Sequence, residues 1–289
     1  MNRIEVTTKL YRDKDRLWLV IWLAGLALLW VWNIFFLNRP AFTQLGEASL
    51  NTLLVGVLVV MFSSFLGWLS GLALHFLDQA KTKAPYLSLT FLVNLIRSVP
   101  QIIGVLIGYV ILTMLITNDI LRSEYSQLLW MAFVISVFVF LEITDLIRER
   151  ISYYQKLDFF NAMLCCGIKE RRIINVEILW KNSRAHLLHK LISIFGASIF
   201  LLCSIDFIVS VGLSTDVSLS NFPMTLGGLL AKMDSKQDIL AIGVVVSDWH
   251  DFSSLFFEHL QGIGTAFIIV FTLLCIYKIS NGFVRRLRL

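Results

Sequence analysis

The sequence contains too few charged residues for a soluble protein of its length. Of 289 residues, 16% are charged, 57% belong to hydrophobic types, and only four are proline. Soluble domains carry about 25% charged residues, so this composition excludes a soluble globular protein. The apolar residues form unbroken runs and do not alternate with polar ones, which argues against a transmembrane β-barrel. The composition therefore predicts an all-α integral membrane protein.

The sequence also lacks the motifs of an enzyme or a metal protein. It has no P-loop, no nucleophile elbow and no metallopeptidase helix. Two of its four cysteines, Cys203 and Cys275, lie in apolar runs, and the other two, Cys165 and Cys166, are adjacent. Adjacent cysteines suit a metal ion poorly, and no second Cys or His pair stands at zinc spacing. We expect no catalytic activity, no metal and no cofactor in this chain.

Six apolar runs are long enough to cross a membrane, since a bilayer core of about 30 Å takes about 20 helical residues. Four are unbroken, at roughly 17–37, 53–76, 129–146 and 264–279, and two are interrupted, at roughly 102–116 and 191–213. The sequence therefore predicts six transmembrane helices, with both termini on the same side. In the fifth connection, the run 238–246 is too short to span and is expected to pack on the bundle or re-enter it.

Lysine and arginine give the orientation, because cytoplasmic loops are enriched in them. All but four of the 25 lysine and arginine residues lie on the same side of the membrane as the termini. The exceptions are Arg39, Arg122, Lys232 and Lys236. This side is predicted to be cytoplasmic, so the net charge of +5 reflects membrane topology and contact with lipid, and we expect no binding of nucleic acid.

The chain is expected to divide into an N-terminal arm with the first helix, residues 1–48, and a five-helix unit, residues 49–289. The polar stretch "NRPAFTQLGEAS" between them is predicted to lie outside the membrane. A cytoplasmic hairpin at about 150–190 and an external segment at about 214–262 are the two long connections. Pro100 is expected to end or kink a helix just before the third span.

Two pairs of glycines stand four residues apart in predicted spans, a spacing that lets helices approach closely in lipid. They are Gly67, Gly71, Gly104 and Gly108. The contact they make is either within the chain or with a second subunit.

Three carboxylates stand in or near the predicted spans. Asp206 lies inside the fifth span, where it is either a candidate for the translocation path or a hydrogen-bonded residue near the outer surface. Glu142 and Asp145 are expected to pair with Arg148 or Arg150 at helical spacing.

The segment 157–180 reads as a helical hairpin. Leu157, Phe160 and Leu164 follow helical spacing, and Gly167 is suited to end the helix. A charged turn follows, and then "IINVEILW", which is again helical with one apolar face. The alternative is an ordinary basic amphipathic loop lying on the membrane.

At this hairpin the sequence resembles a family. The pattern Glu-Ala-Ala, a spacer, Gly and, further on, Leu-Pro marks the membrane subunits of bacterial ABC importers. This chain has Asn161, Ala162, Met163 and Gly167, then Ile178 and Leu179. It departs from the pattern at Asn161, which replaces the acidic residue, and at Trp180, which stands where proline is usual.

Three further stretches, in family order, extend the resemblance over roughly residues 50–289. "LNTLLVGVLVVMFSSFLGWLSGLAL" is similar to the family's first core span, and "LIRSVPQIIGVLIGYVIL" to the entry of the next span in methionine, phosphonate and polar amino-acid permeases. "GIGTAFIIVFTLLCIYKISNGFVRRLRL" is similar to the last span of dipeptide and oligopeptide permeases.

The resemblance implies a type I ABC importer permease of a bacterial inner membrane, with N- and C-termini in the cytoplasm. Its hairpin would hold the coupling helix, which docks on a cytosolic ATPase subunit that binds ATP and Mg²⁺. The other implied partners are a second permease subunit, identical or related, and an extracytoplasmic substrate-binding protein. The substrate would be a peptide or another small polar solute. The residues expected to contact the ATPase are Asp158, Phe159, Phe160, Asn161, Ala162, Gly167, Lys169 and Glu170.

Two other functions stay open on the sequence. A secondary transporter driven by an ion gradient would need several buried charges and repeat symmetry, whereas Asp206 is the only clear buried charge and no inverted repeat is evident. A membrane scaffold that no longer transports would fit the altered Glu-Ala-Ala positions.

Overall fold

The protein is represented by a computed structural model, which describes residues 14–36, 39–212, 222–232, 247–248 and 260–287. Within these ranges every regular element is helical and there is no strand, which confirms the all-α prediction for the described part of the chain. The helices are α1 (Lys14–Phe36), α2 (Arg39–Asp78), α3 (Ala84–Ser98), α4 (Gln101–Thr117), α5 (Glu124–Val139), α6 (Leu141–Gln155), α7 (Asp158–Cys165), α8 (Glu170–Arg172), a π-helical segment (Ile173–Asn182), α9 (Arg184–Gly212), α10 (Leu226–Lys232) and α11 (Leu260–Leu287).

Four of these helices, α1, α2, α9 and α11, are long and apolar enough to cross a membrane. Two bent pairs raise the number to six if each pair forms one span. The axes of α3 and α4 differ by 94°, and those of α5 and α6 by 42°. The described part of the chain therefore holds four to six candidate spans, as in a multi-pass membrane protein.

The longest helix, α2, extends further than the sequence predicts. It runs for 40 residues, or about 60 Å, from Arg39 to Asp78. The polar stretch expected outside the membrane lies in its first turns, continuous with the predicted span. The domain boundary expected after residue 48 thus falls inside α2, where Leu45 and Ala48 are buried against α9 and α11. Residues 39–48 belong to the bundle.

The two helix breaks differ in their sequence signal. As predicted, Pro100 separates α3, which ends at Ser98, from α4, which begins at Gln101. At the other break, Phe140 ends α5 and precedes α6. It falls within the predicted span 129–146, and no proline or glycine stands there.

The core forms where α2 packs against α5, α6 and α9. The four glycines singled out in the sequence lie at contacts between helices of the same chain. A β-carbon at Gly67 would lie 2.6 Å from Cβ of Ile143, and one at Gly108 would lie 2.1 Å from Cγ1 of Val134. Glycine therefore lets α2 approach α6, and α4 approach α5, more closely than any larger residue allows.

The first helix lies at the edge of the bundle, mainly against α11. Trp22 Nε1 donates to Thr272 Oγ1 at 3.3 Å, and the Lys278 ammonium group lies 5.8 Å from the centre of the Trp18 ring. Only 6% of the apolar stretch of α1 is buried against the described part of the chain. Most of its surface is thus available to lipid or to another protein.

Candidate functional site: an exposed helix tied to the end of α2

The eight-residue helix α7 begins directly after α6 and is anchored by one aromatic side chain. Phe160 is 6% exposed and belongs to the main core. Its neighbour Phe159 is 39% exposed and meets the ring of Tyr154 edge-on, with the ring centres 6.5 Å apart. Phe160, predicted to contact a partner, is buried within the chain in this conformation. Its role is to hold α7 on the bundle.

Gly167 ends the hairpin's first arm in a left-handed conformation, with φ of +78°. The amide of Cys166 donates to Ala162 O at 3.0 Å, and the amide of Ile168 donates to Met163 O at 3.2 Å. These bonds satisfy carbonyl groups that the helix leaves free at its C-terminus. A residue with a β-carbon is strained at positive φ, so the predicted helix-ending role of Gly167 is confirmed.

The returning arm of the hairpin is π-helical and not α-helical over residues Ile173–Asn182. Its buried side chains come in pairs five residues apart, Ile173 with Ile178 and Ile174 with Leu179. That spacing places each pair on one face of a helix with i→i+5 hydrogen bonds. The apolar face seen in the sequence is thus present, and it packs against α6. Trp180, the departure from the family pattern, is 70% exposed.

Polar side chains connect this returning arm to the C-terminal end of α2. Nε2 of His75 lies 3.2 Å from Oε1 of Glu170, and Gln79 Nε2 donates to the same oxygen at 3.0 Å. Seven residues before His75, Trp68 Nε1 donates to Asn175 Oδ1 at 3.2 Å. Glu170, expected to contact a partner, therefore has partners within the chain. The hairpin and α2 are joined at two levels along α2.

The remaining residues predicted at this site are exposed. We define the exposed face of α7 as Asp158, Phe159, Asn161, Ala162 and Cys165. Lys169 and Gly167 are also exposed, at the turn that follows. On the helix, positions 158, 161, 162 and 165 share one side, opposite the buried Phe160. The hairpin thus presents one side of a short, anchored helix, which can bind a groove on another protein.

Asp206, the candidate for the translocation path, is buried in α9 and accepts a hydrogen bond from Thr225 Oγ1. The same hydroxyl accepts from the amide of Gly228 at 3.1 Å. Next to it, the amide of Leu226 donates to Thr52 Oγ1 of α2 at 2.9 Å. In this conformation Asp206 joins the start of α10 to α9, and Thr52 joins it to α2. Both interpretations of Asp206 from the sequence stay open, because a hydrogen-bonded carboxylate can also face a translocation path.

The expected pairs of Glu142 and Asp145 with Arg148 or Arg150 are wrong. Asp145 instead accepts from Arg97 Nη2 at 2.7 Å, and Glu142 lies 2.9 Å from Lys190 Nζ. These bridges join α6 to α3 and to α9. The spacing rule failed because cations from other helices lie closer to these carboxylates.

Several expectations fall outside the described residues. They include the basic arm before residue 14, the run 238–246 and most of the external segment 214–262. In that segment the structure describes residues 222–232, 247–248 and 260–262. In the described part of the chain, no three histidine, cysteine or carboxylate side chains group to hold a metal ion.

Comparison with known proteins gives no family for this chain. No protein-family model matches it, and no curated protein matches it.

Proposed function

We propose that this protein is the permease subunit of an ATP-driven type I ABC importer and that α7 is its coupling helix. The observation that carries the proposal is the anchored, exposed helix α7, placed between apolar helices and joined to the end of α2. Its exposed face has two polar residues, Asp158 and Asn161, beside the small Ala162 and the aromatic Phe159. Aromatic and small residues beside polar ones suit a docking surface.

The contacts of the hairpin explain how docking would move the membrane helices. A force on α7 reaches the core through Phe160, which packs among buried residues of the bundle. It reaches α2 through the contact of Glu170 with His75 and that of Asn175 with Trp68. Since α2 also packs on α5, α6 and α9, a shift of its end is transmitted across the bundle.

The 289 residues hold no P-loop, and in this proposal a separate ATPase subunit hydrolyses ATP. A pair of permease subunits, identical or related, encloses the translocation path, and an extracytoplasmic binding protein delivers the substrate. The substrate is a peptide or another small polar solute, on the similarity of the last span to peptide permeases. The protein works in a bacterial inner membrane with both termini in the cytoplasm.

Purification of the tagged full chain from its native membrane tests this function. In mild detergent we expect an ATPase with a P-loop to co-purify and the complex to hydrolyse ATP. Ala162→Arg adds a bulky cation to the exposed face of α7 and should reduce the recovered ATPase at least about tenfold. Ala84→Arg is the matched control, because Ala84 is exposed at the start of α3 and outside the hairpin.

The outcome separates the proposed function from its alternatives. If the protein is a scaffold or an ion-driven transporter, no ATPase should co-purify with the native chain or with either arginine variant. Equal loss with both variants would mean that the added arginine disturbs the fold, and α7 would then have no special role.

A further inference from the structure

The two adjacent cysteines lie at the end of α7, on the surface proposed to dock. Cys165 and Cys166 are both exposed, whereas Cys203 and Cys275 are buried. The sequence has four cysteines, and all four are within the described part of the chain. The exposed thiols of this protein are therefore concentrated in one place, and Cys165 belongs to the exposed face of α7.

A disulfide between adjacent residues is strained. Consecutive α-carbons are about 3.8 Å apart, below the range of about 4.4–6.8 Å usual for disulfides. Neighbouring side chains of a helix also point in different directions. Closing the ring therefore requires residues 165 and 166 to leave helical geometry. Strained, exposed disulfides are easily reduced, and reversible disulfides of this type serve regulation.

The end of α7 can rearrange while Phe160 stays in the core, and only the partly buried Met163 and Ile168 would have to shift against it. Three backbone hydrogen bonds close it, donated by the amides of Cys166, Gly167 and Ile168 to Ala162, Leu164 and Met163, at 2.9–3.2 Å. Among the described residues, no atom outside 166–168 lies within 4 Å of the place where a β-carbon of Gly167 would be. Phe160, which anchors α7, lies more than one helical turn before the cysteines.

We propose that Cys165 and Cys166 form a thiol-oxidation site that closes to a disulfide and unwinds the end of α7. The oxidant is a low-molecular-weight disulfide such as glutathione disulfide. One cysteine thiolate attacks it, forming a mixed disulfide and releasing one glutathione thiolate. The second cysteine thiolate attacks the protein sulfur of that mixed disulfide and releases the second glutathione. The two cysteines lose two protons and two electrons, and glutathione disulfide gains them as two glutathione molecules.

Oxidation changes the exposed face that the coupling helix presents. The bond from the Cys166 amide to Ala162 O breaks, so the last turn of α7 no longer holds Ala162 and Cys165 in place. Docking of the ATPase then weakens, and import slows under oxidising conditions. This consequence rests on the proposed function, whereas the disulfide chemistry does not.

The experiment uses the full chain alone, in lipid nanodiscs, equilibrated with mixtures of glutathione and glutathione disulfide. Intact mass and peptide mapping should show a species lighter by two hydrogens, with Cys165 linked to Cys166. In the folded protein the number of alkylatable thiols should fall from two to zero. Hydrogen exchange of the amides at 166–168 should become about tenfold faster, and amides within α9 should not change.

Single variants make this test specific. Cys165→Ser and Cys166→Ser each leave one exposed thiol, so each should gain one glutathionyl group in place of the thiol hydrogen and form no disulfide within the chain. The proposal is wrong if the native chain gives only glutathionyl adducts or disulfide-linked dimers. It is also wrong if the disulfide forms and exchange at 166–168 stays unchanged. Failure here leaves ATPase co-purification untouched, and failure of co-purification leaves the disulfide chemistry standing.

Discussion

His75 and Glu170 lie in contact, with Nε2 and Oε1 3.2 Å apart, although 95 residues separate them in the sequence. Their contact joins the C-terminal end of the longest helix to the hairpin that carries α7. Both side chains are largely shielded, at 13% and 30% exposed, so solvent screens this contact less than a surface pair.

Replacing Glu170 by alanine should loosen the returning arm. The variant loses the acceptor shared by His75 and Gln79, which we expect to cost about 1 kcal/mol and to speed amide exchange across residues 168–175 about fivefold. Exchange in α9 should stay unchanged. Lys181→Ala is the control, because within the described chain the 60% exposed Lys181 pairs only with Glu177 of the same hairpin and makes no bridge to α2, so its loss should have little effect. Unchanged exchange in Glu170→Ala would show that the contact with α2 is dispensable.

Two glycine-to-alanine changes should affect stability in opposite directions. Gly167→Ala places a β-carbon at φ of +78°, and we expect a local cost of about 1–2 kcal/mol, seen as faster exchange at the end of α7. Gly46→Ala lies inside α2, where the added carbon meets only Trp30 at 3.9 Å. It should be neutral or stabilising by up to about 1 kcal/mol, because alanine favours helix. Equal effects of both changes on thermal unfolding and exchange would contradict the assignment of Gly167.

Gly67→Ala should destabilise the bundle as a whole. Its β-carbon would lie 2.6 Å from Cβ of Ile143 and 3.0 Å from the backbone oxygen of Phe140, so relief requires movement of α6. We expect a loss of about 1–3 kcal/mol, measured as a lower thermal midpoint in detergent. The double variant Gly67→Ala/Ile143→Gly removes the Ile143 β-carbon, which lies closest, and should behave better than the sum of its parts. Strict additivity would mean that the two side chains do not meet.

The attachment of α10 should depend more on Thr225 than on the charge of Asp206. Thr225→Val removes a hydrogen-bond donor from the buried carboxylate, at a cost of about 1–3 kcal/mol. Asp206→Asn keeps an oxygen that accepts from Thr225 and should cost less. Proteolysis of the external segment in intact membranes measures both. The reverse order would point to a charge-dependent role for Asp206, as a translocation path would require.

The sequence predicts the helices of this fold better than their joints. Unbroken apolar runs locate α1, α2 and α11, and Pro100 locates the break between α3 and α4. The bend at Phe140 could not be predicted, because no proline or glycine stands there. Phe140 is instead buried among side chains of other helices. The start of α2 was missed for a related reason: its polar residues resemble a loop, yet Leu45 and Ala48 find buried contacts.

At the site, local backbone chemistry was predictable and tertiary partners were not. Gly167 stands out in the sequence because few residues end a helix as it does. Helical spacing alone does not tell that Phe160 faces the core while Phe159 is exposed. The π-helical segment had a signal, two apolar pairs five residues apart, which α-helical periodicity obscures. Asp145 and Glu170 bind side chains from distant helices, and no spacing rule anticipates those.

The most direct test of the account is photo-crosslinking from the exposed face of α7 in native membranes. A photoreactive amino acid at Asn161 should attach the chain to a polypeptide that contains a P-loop, with a yield that changes when ATP is added. The same amino acid at Ala84, outside the hairpin, should not capture that polypeptide. Crosslinks from Asn161 to lipid alone, or equal capture from both positions, would contradict the assignment of α7 as the helix that docks on an ATPase.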